Sequence, residues 1–190
     1  MSNLFVGLDL SLTSSGMCLK SDGKVVVIES VKTVPNYFTC DLERYAHIVD
    51  KVLAFIPEDV ALVVVEDFFT PTNSAQIGSA MKLIGLGHLV RMRMYQKKIP
   101  FVVPAPTQLK KFVSGKGTCP KDMICKEVWK KWAVDTSDDD QADAVVGANL
   151  AETLACKMRG GDVTELPKYQ LEVVSAVLQD RPFYNRESFK

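Results

Sequence analysis

No stretch of the 190 residues holds the ~18 to 20 apolar side chains that a membrane-spanning helix needs. The first residues also lack the basic-then-apolar pattern of a secretory signal. A cytoplasmic protein with no membrane partner is expected. Cysteine is sparse and scattered: Cys18, Cys40, Cys119, Cys125 and Cys156 are odd in number and show neither a CxxC pair nor a Cys/His zinc spacing. They read as reduced, ordinary thiols. The two histidines, His47 and His88, lie in helical stretches without metal-ligand spacing, so structural roles are expected for both. Internal repeats and low-complexity segments are missing. Net charge is missing too, because 23 Lys and Arg offset 23 Asp and Glu. Taken alone, that balance argues against a protein that coats nucleic acid.

The charge is unevenly placed, however. Between Met81 and Lys131, twelve basic residues meet only two acids, Asp122 and Glu127, so this block is +10 and the remainder is −10. A basic surface and an acidic cluster therefore coexist in one small chain. With 47% hydrophobic residues, the chain can bury one sizeable core.

Three β-like runs come first, "LFVGLDL" (3–9), "GMCLK" (16–20) and "KVVVIESVKTV" (24–34), with "SDGK" as a hairpin signal between the last two. Residues 40–56 repeat apolar side chains at helical spacing and stop at Pro57. "ALVVVE" (61–66) is a β-branched run of the kind buried on both faces of a sheet. A helix over 74–98, a strand over 99–104, and helices from Pro106, over 120–132 and over 139–158 follow. The order predicts an α/β fold whose mixed five-stranded sheet has three antiparallel strands extended by two parallel ones and is flanked by helices. "GGD" at 160–162 and Pro167 divide the chain into a main domain, 1–158, and an accessory helix or tail, 159–190.

Asp9 ends the first strand and Glu66 ends the buried one, so both can project from strand ends of one sheet. Asp140 and Asp143, three apart at the start of a helix, share a face. A carboxylate closing an apolar strand loses hydration unless it has a partner, and converging acids resist joint ionisation without a counterion. Oxygen-only ligands favour Mg²⁺, with Mn²⁺ as a substitute. The chemistry implied is two-metal phosphodiester hydrolysis.

These residues fall into a recognisable pattern. "GLDLSLTSSG" resembles the first-strand motif of the RuvC-type Holliday junction resolvases, within the RNase H-like superfamily, and its aspartate matches Asp9. "VVVEDFF" resembles their fourth-strand motif, with Glu66 as the glutamate. "KKFVSGKGTCPKDMICKEV" resembles their glycine-turn-lysine segment, and "DDQADAVVGANLA" their closing helix with Asp140 and Asp143. The resemblance spans residues 3–158 and looks like that of a bacteriophage relative; Leu10 and Ser11 stand where the family usually has Pro-Gly. It implies a homodimer built on helix 74–98 that cuts four-way junctions, forks or flaps. It also implies that Lys121 meets the scissile phosphate, that Lys110, Lys111 and Lys116 hold flanking phosphates, and that Phe69 stacks on an unpaired base.

Two other classes compete with this one. The first motif also resembles a phosphate loop of actin-like ATPases and sugar kinases, but their second Asp-Gly motif and adenosine-binding Gly-Gly are missing, and "SGKGT" lacks the Walker glycine four residues earlier. A non-catalytic DNA-binding relative would not need all four acids.

Overall fold

The computed structural model describes residues 3–68, 74–136, 138–185 and Glu187, excluding the side chains of residues 74–76, 121 and 122. Among the described residues, six strands form one sheet in the order β3-β2-β1-β4-β5-β6. Strands β1 (Leu4–Asp9), β2 (Ser14–Ser21) and β3 (Lys24–Lys32) make an antiparallel meander, and β4 (Leu62–Val65) and β5 (Phe101–Val102) continue it in parallel with β1. The "SDGK" hairpin turns through Asp22 and Gly23, both at positive φ. Only two residues of the 99–104 run pair as a strand. Prolines at both ends donate no hydrogen bond; their carbonyls accept instead, Pro100 O from Val63 N at 3.0 Å and Pro104 O from Asp67 N at 2.9 Å.

Alternation along the strands separates two layers. Val6 and Leu8 of β1 and Val63 and Val65 of β4 pack against α1 (Asp41–Phe55) and α2 (Ser74–Gln96). Phe5, Leu62 and Val64 face the opposite layer, formed by α3 (Pro106–Ser114), α4 (Lys121–Trp132), α5 (Asp139–Met158) and α6 (Lys168–Asp180). Helix α5 is the most deeply buried of these and crosses β1, β2 and β4.

Residues after Met158 share this core. Val173, Val174 and Val177 of α6 join it, and Gln170 Nε2 donates to Phe112 O of α3 at 2.9 Å. The chain then adds a sixth strand, β6 (Phe183–Tyr184), antiparallel to β5, with Tyr184 stacked on Phe101 at 4.5 Å. No alternation announces so short a strand; its pairing partner and the Phe101 ring define it.

Close approach of α5 to the sheet rests on glycine. A Cβ on Gly7 would lie 2.0 Å from Ala144 O and 2.3 Å from Ala148 N, and one on Gly16 would lie 2.1 Å from Asp140 O. These are backbone atoms, which cannot swing aside. Gly7→Ala is therefore expected to destabilise the protein by about 3 kcal/mol, measured by urea unfolding; a loss under about 0.5 kcal/mol would show that α5 can retreat without strain.

Candidate active site

Parity and register bring the first two acids together. Phe5 pairs with Leu62 and Gly7 with Val64, so Asp9 lies level with Glu66 on the neighbouring parallel strand, about 4.8 Å away across the ladder. Glu66 N donates to Leu8 O at 3.1 Å, which carries the alignment one residue past the strand. Both positions share the parity of the side chains facing α5. Above the Gly7 and Gly16 floor, the start of the second turn of α5 brings Asp143 over them, and ligand oxygens of Asp9, Glu66 and Asp143 lie within 4.8 Å of one another. Asp140, one turn earlier, is close enough to add its charge to the cluster but does not belong to this triad. Asp138 has a separate task as the N-cap of α5, accepting from Gln141 N at 2.9 Å.

The cluster is electrostatically frustrated. The Asp9 carboxyl is pushed well above its ordinary range, first by burial and then by the charges of Glu66, Asp143 and Asp140. An oxygen-only donor set of half-buried acids at this spacing fits a hard divalent cation, whose charge would remove the repulsion. The triad can hold a metal ion.

A cavity of about 220 Å³ opens at the strand ends, walled by the three acids together with Asp67, Phe68, Leu83, Pro106 and Lys110. Lys110, expected to hold a flanking phosphate, thus shares the cavity with the acids. It arrives there because α3 begins immediately after β5, and sequence alone gave no sign of that placement. Lys111 instead pairs with Glu172 of α6 at 2.8 Å. Lys116 is exposed in the turn after α3, where its backbone N–H donates to Ser114 Oγ at 3.2 Å. Lys121 opens α4, but its side chain, like the whole of Phe69, lies outside the described residues. His88 rests against Phe68 at 5.8 Å and His47 against Phe38 at 5.5 Å, both as ring contacts. A larger cavity of about 710 Å³ lies at the opposite end of β1, between Asn3, Asp22 and Glu152, away from the triad.

Residues 5–149 match the family model described as Crossover junction endodeoxyribonuclease RuvC. Among solved structures, Thermus thermophilus RuvC is similar at a TM-score of 0.62 and 22% identity, covering 83% of this chain and 96% of that one. T. thermophilus RuvC in complex with a Holliday junction substrate gives a TM-score of 0.56 at 22% identity, covering 82% and 96%. The yeast mitochondrial Holliday junction resolvase Ydc2 gives 0.50 at 13% identity, covering 96% of this chain and 82% of its own. At these identities the structures speak for the fold. No match was found among curated proteins.

Frustration at Asp9 should be measurable as stability. Its folded pKa lies above the ordinary 3.8, so between those two values the native state holds a proton that the unfolded state has released. Stability therefore falls as pH rises through that window, and the loss is complete above the folded pKa. Asp9→Asn should raise the Tm of the metal-free protein at neutral pH, by about 2–4 °C per kcal/mol of repulsion relieved. A divalent cation should stabilise the unmodified chain far more than the variant. An unchanged Tm together with equal cation responses would contradict this account.

Proposed function

The chain belongs to the RuvC family of crossover junction endodeoxyribonucleases and is a junction-cleaving nuclease; we propose that the reaction takes place at Asp9, Glu66, Asp140 and Asp143. The observation that carries this reading is the meeting of three carboxylates from β1, the end of β4 and α5 within 4.8 Å. The solved T. thermophilus relative holds a Holliday junction, and four-way junctions, with forks and flaps beside them, are the substrates proposed here.

Mg²⁺ is the proposed cofactor, with Mn²⁺ able to replace it. A pair of such ions, when bound, activates the attacking water and stabilises the leaving oxygen. Asp9, Glu66 and Asp143 would hold the ions, with Asp140 supplying further negative charge. Lys110, in the same cavity, would meet the reacting phosphate, where a fixed positive charge counters the charge that grows during attack. Lys121 is assigned to that phosphate by family resemblance, and Phe69 to an unpaired base. Lys111 and Lys116 would hold flanking backbone.

A homodimer through α2 completes the proposal. Ile77, Met81, Met92 and Tyr95 are exposed along that helix at spacings that keep them on one face. A two-fold enzyme would present two sites to two symmetric strands. Among the described residues no helix is long and apolar enough to cross a membrane, and the proposed location is the cytoplasm.

Cleavage of four-way, three-way, flap and linear DNA, with and without Mg²⁺, tests the reading. Asp9→Asn and Glu66→Gln should each abolish cutting, since a lost ligand removes several kcal/mol of transition-state stabilisation, on the order of 10²-fold or more in rate. Junction binding should survive in both, because phosphate contacts elsewhere supply it. Substantial residual cutting by either variant would refute the site.

The lysines should divide by role. Lys110→Ala should lower single-turnover cleavage at saturating enzyme by about 10²-fold. Lys116→Ala should instead weaken binding and reduce the salt dependence of affinity by about one unit. Full cleavage by Lys110→Ala at saturation would make that lysine a backbone clamp only.

A further inference from the structure

Glu66 and Asp67 are chain neighbours of opposite strand parity, and both border the acidic cavity. Glu66 shares the parity of Leu62 and Val64 and turns toward α5, whereas Asp67 continues Val63 and Val65 toward α2. There its carboxylate accepts from two arginines on different elements. Arg91 Nη2 of α2 donates to Asp67 Oδ1 at 3.2 Å, and Arg181 Nη1 donates to Oδ2 at 3.2 Å. Arg91 also donates to Glu66 O at 3.2 Å and lies 4.2 Å from the Phe68 ring centroid. Arg181 follows α6 and stands outside the residues, 5–149, that the family model matches. Its position is fixed by β6 and by Asn185, which donates to Tyr95 O at 3.2 Å and Ile99 O at 2.9 Å.

We propose that Arg181 is a positioning residue for the metal site, acting through Asp67 to hold the Glu66 carboxylate in register with Asp9 and Asp143. The inference rests on the reading of those three acids as metal ligands. Strand β4 ends at Val65, so Glu66 lies beyond the last paired residue, where regular ladder bonds no longer hold it. Its backbone is fixed by the Leu8 carbonyl on one side and directly by Arg91 of α2 on the other, and Asp67 is the joint through which the C-terminal segment reaches it. Such outer contacts set ligand orientation, and small displacements of a ligand are felt strongly. The Arg181–Asp67 pair is about 30% exposed on both sides, so it adds little to global stability. Its effect belongs at the site.

The test is calorimetric titration of the full-length chain with Mn²⁺, accompanied by Tm and by the Mn²⁺ dependence of junction cleavage. Arg181→Ala should weaken Mn²⁺ binding by about tenfold with the metal-free Tm nearly unchanged, and cleavage should recover at high Mn²⁺. Arg181→Lys should restore most of the affinity. Asp67→Asn should weaken binding at least as much, because Asp67 also accepts from Arg91, and adding Arg181→Ala to it should cause no further loss, as expected when Arg181 acts through Asp67. Unaltered Mn²⁺ affinity in Arg181→Ala would overturn the proposal, as would a loss that tracks a fall in Tm and is not rescued by lysine. If the unmodified chain fails to bind Mn²⁺, the metal-site reading itself falls and this inference falls with it, an outcome distinct from the other two.

Discussion

Helix α5 lies so close to the sheet that two strand positions beneath it cannot carry a side chain. At Gly7 and Gly16 an added Cβ would meet helix backbone at 2.0–2.1 Å, and those contacts determine how far the N-terminal half of α5 stands above β1 and β2. Asp143 reaches Asp9 and Glu66 only because that gap is small. An α5 raised by the thickness of a methyl group would leave two central strands with an acid at the end of each and a helix with two more, and no common ligand site. The same approach buries most of α5, so packing energy from a long apolar helix presses the acidic turn into place.

Packing acts against electrostatics here. Four acids are held near one point, and Asp9 answers by binding its proton more tightly than an exposed aspartate would. The dipole at the N-terminus of α5 and the Asp138 cap ease the strain on the helix itself, but neither neutralises the triad. Stability given up at a site of this kind is recovered when a cation binds. Basic residues concentrated between Met81 and Lys131 serve a different purpose, since among the described side chains of that block only Lys110 lines the acidic cavity. A cation paired directly with each acid would quench the site before a metal could bind.

The antiparallel meander, its parallel extension and the candidacy of Asp9, Glu66, Asp140 and Asp143 were legible in the sequence because each rests on a local pattern, although only three of the four acids share the triad. A continuous β-branched run ending in a carboxylate, or two acids three apart at a helix start, needs no tertiary knowledge. Placement of Lys110 was not legible, because a lysine on α3 looks like any solvated lysine until the turn from β5 aims it at the strand ends. Lys111, adjacent in sequence, meets Glu172 instead, and only the packing of α6 on α3 decides between the two. Strand β6 was invisible for the same reason: two residues carry no period, and their pairing depends on the edge that β5 leaves open.

Alternation along β4 also explains why the arginines stand where they do. A guanidinium bonded to Glu66 on the α5 side would fix that carboxylate well, yet it would occupy the lone pairs a metal needs and offset the charge that attracts one. One residue later the chain turns its side chain to the other layer, where Arg91 and Arg181 grip Asp67. The grip is transmitted to Glu66 through one peptide unit, which is planar and stiff. A C-terminal segment can in this way help to hold one of the three acids in place through the carboxylate one residue further along the chain.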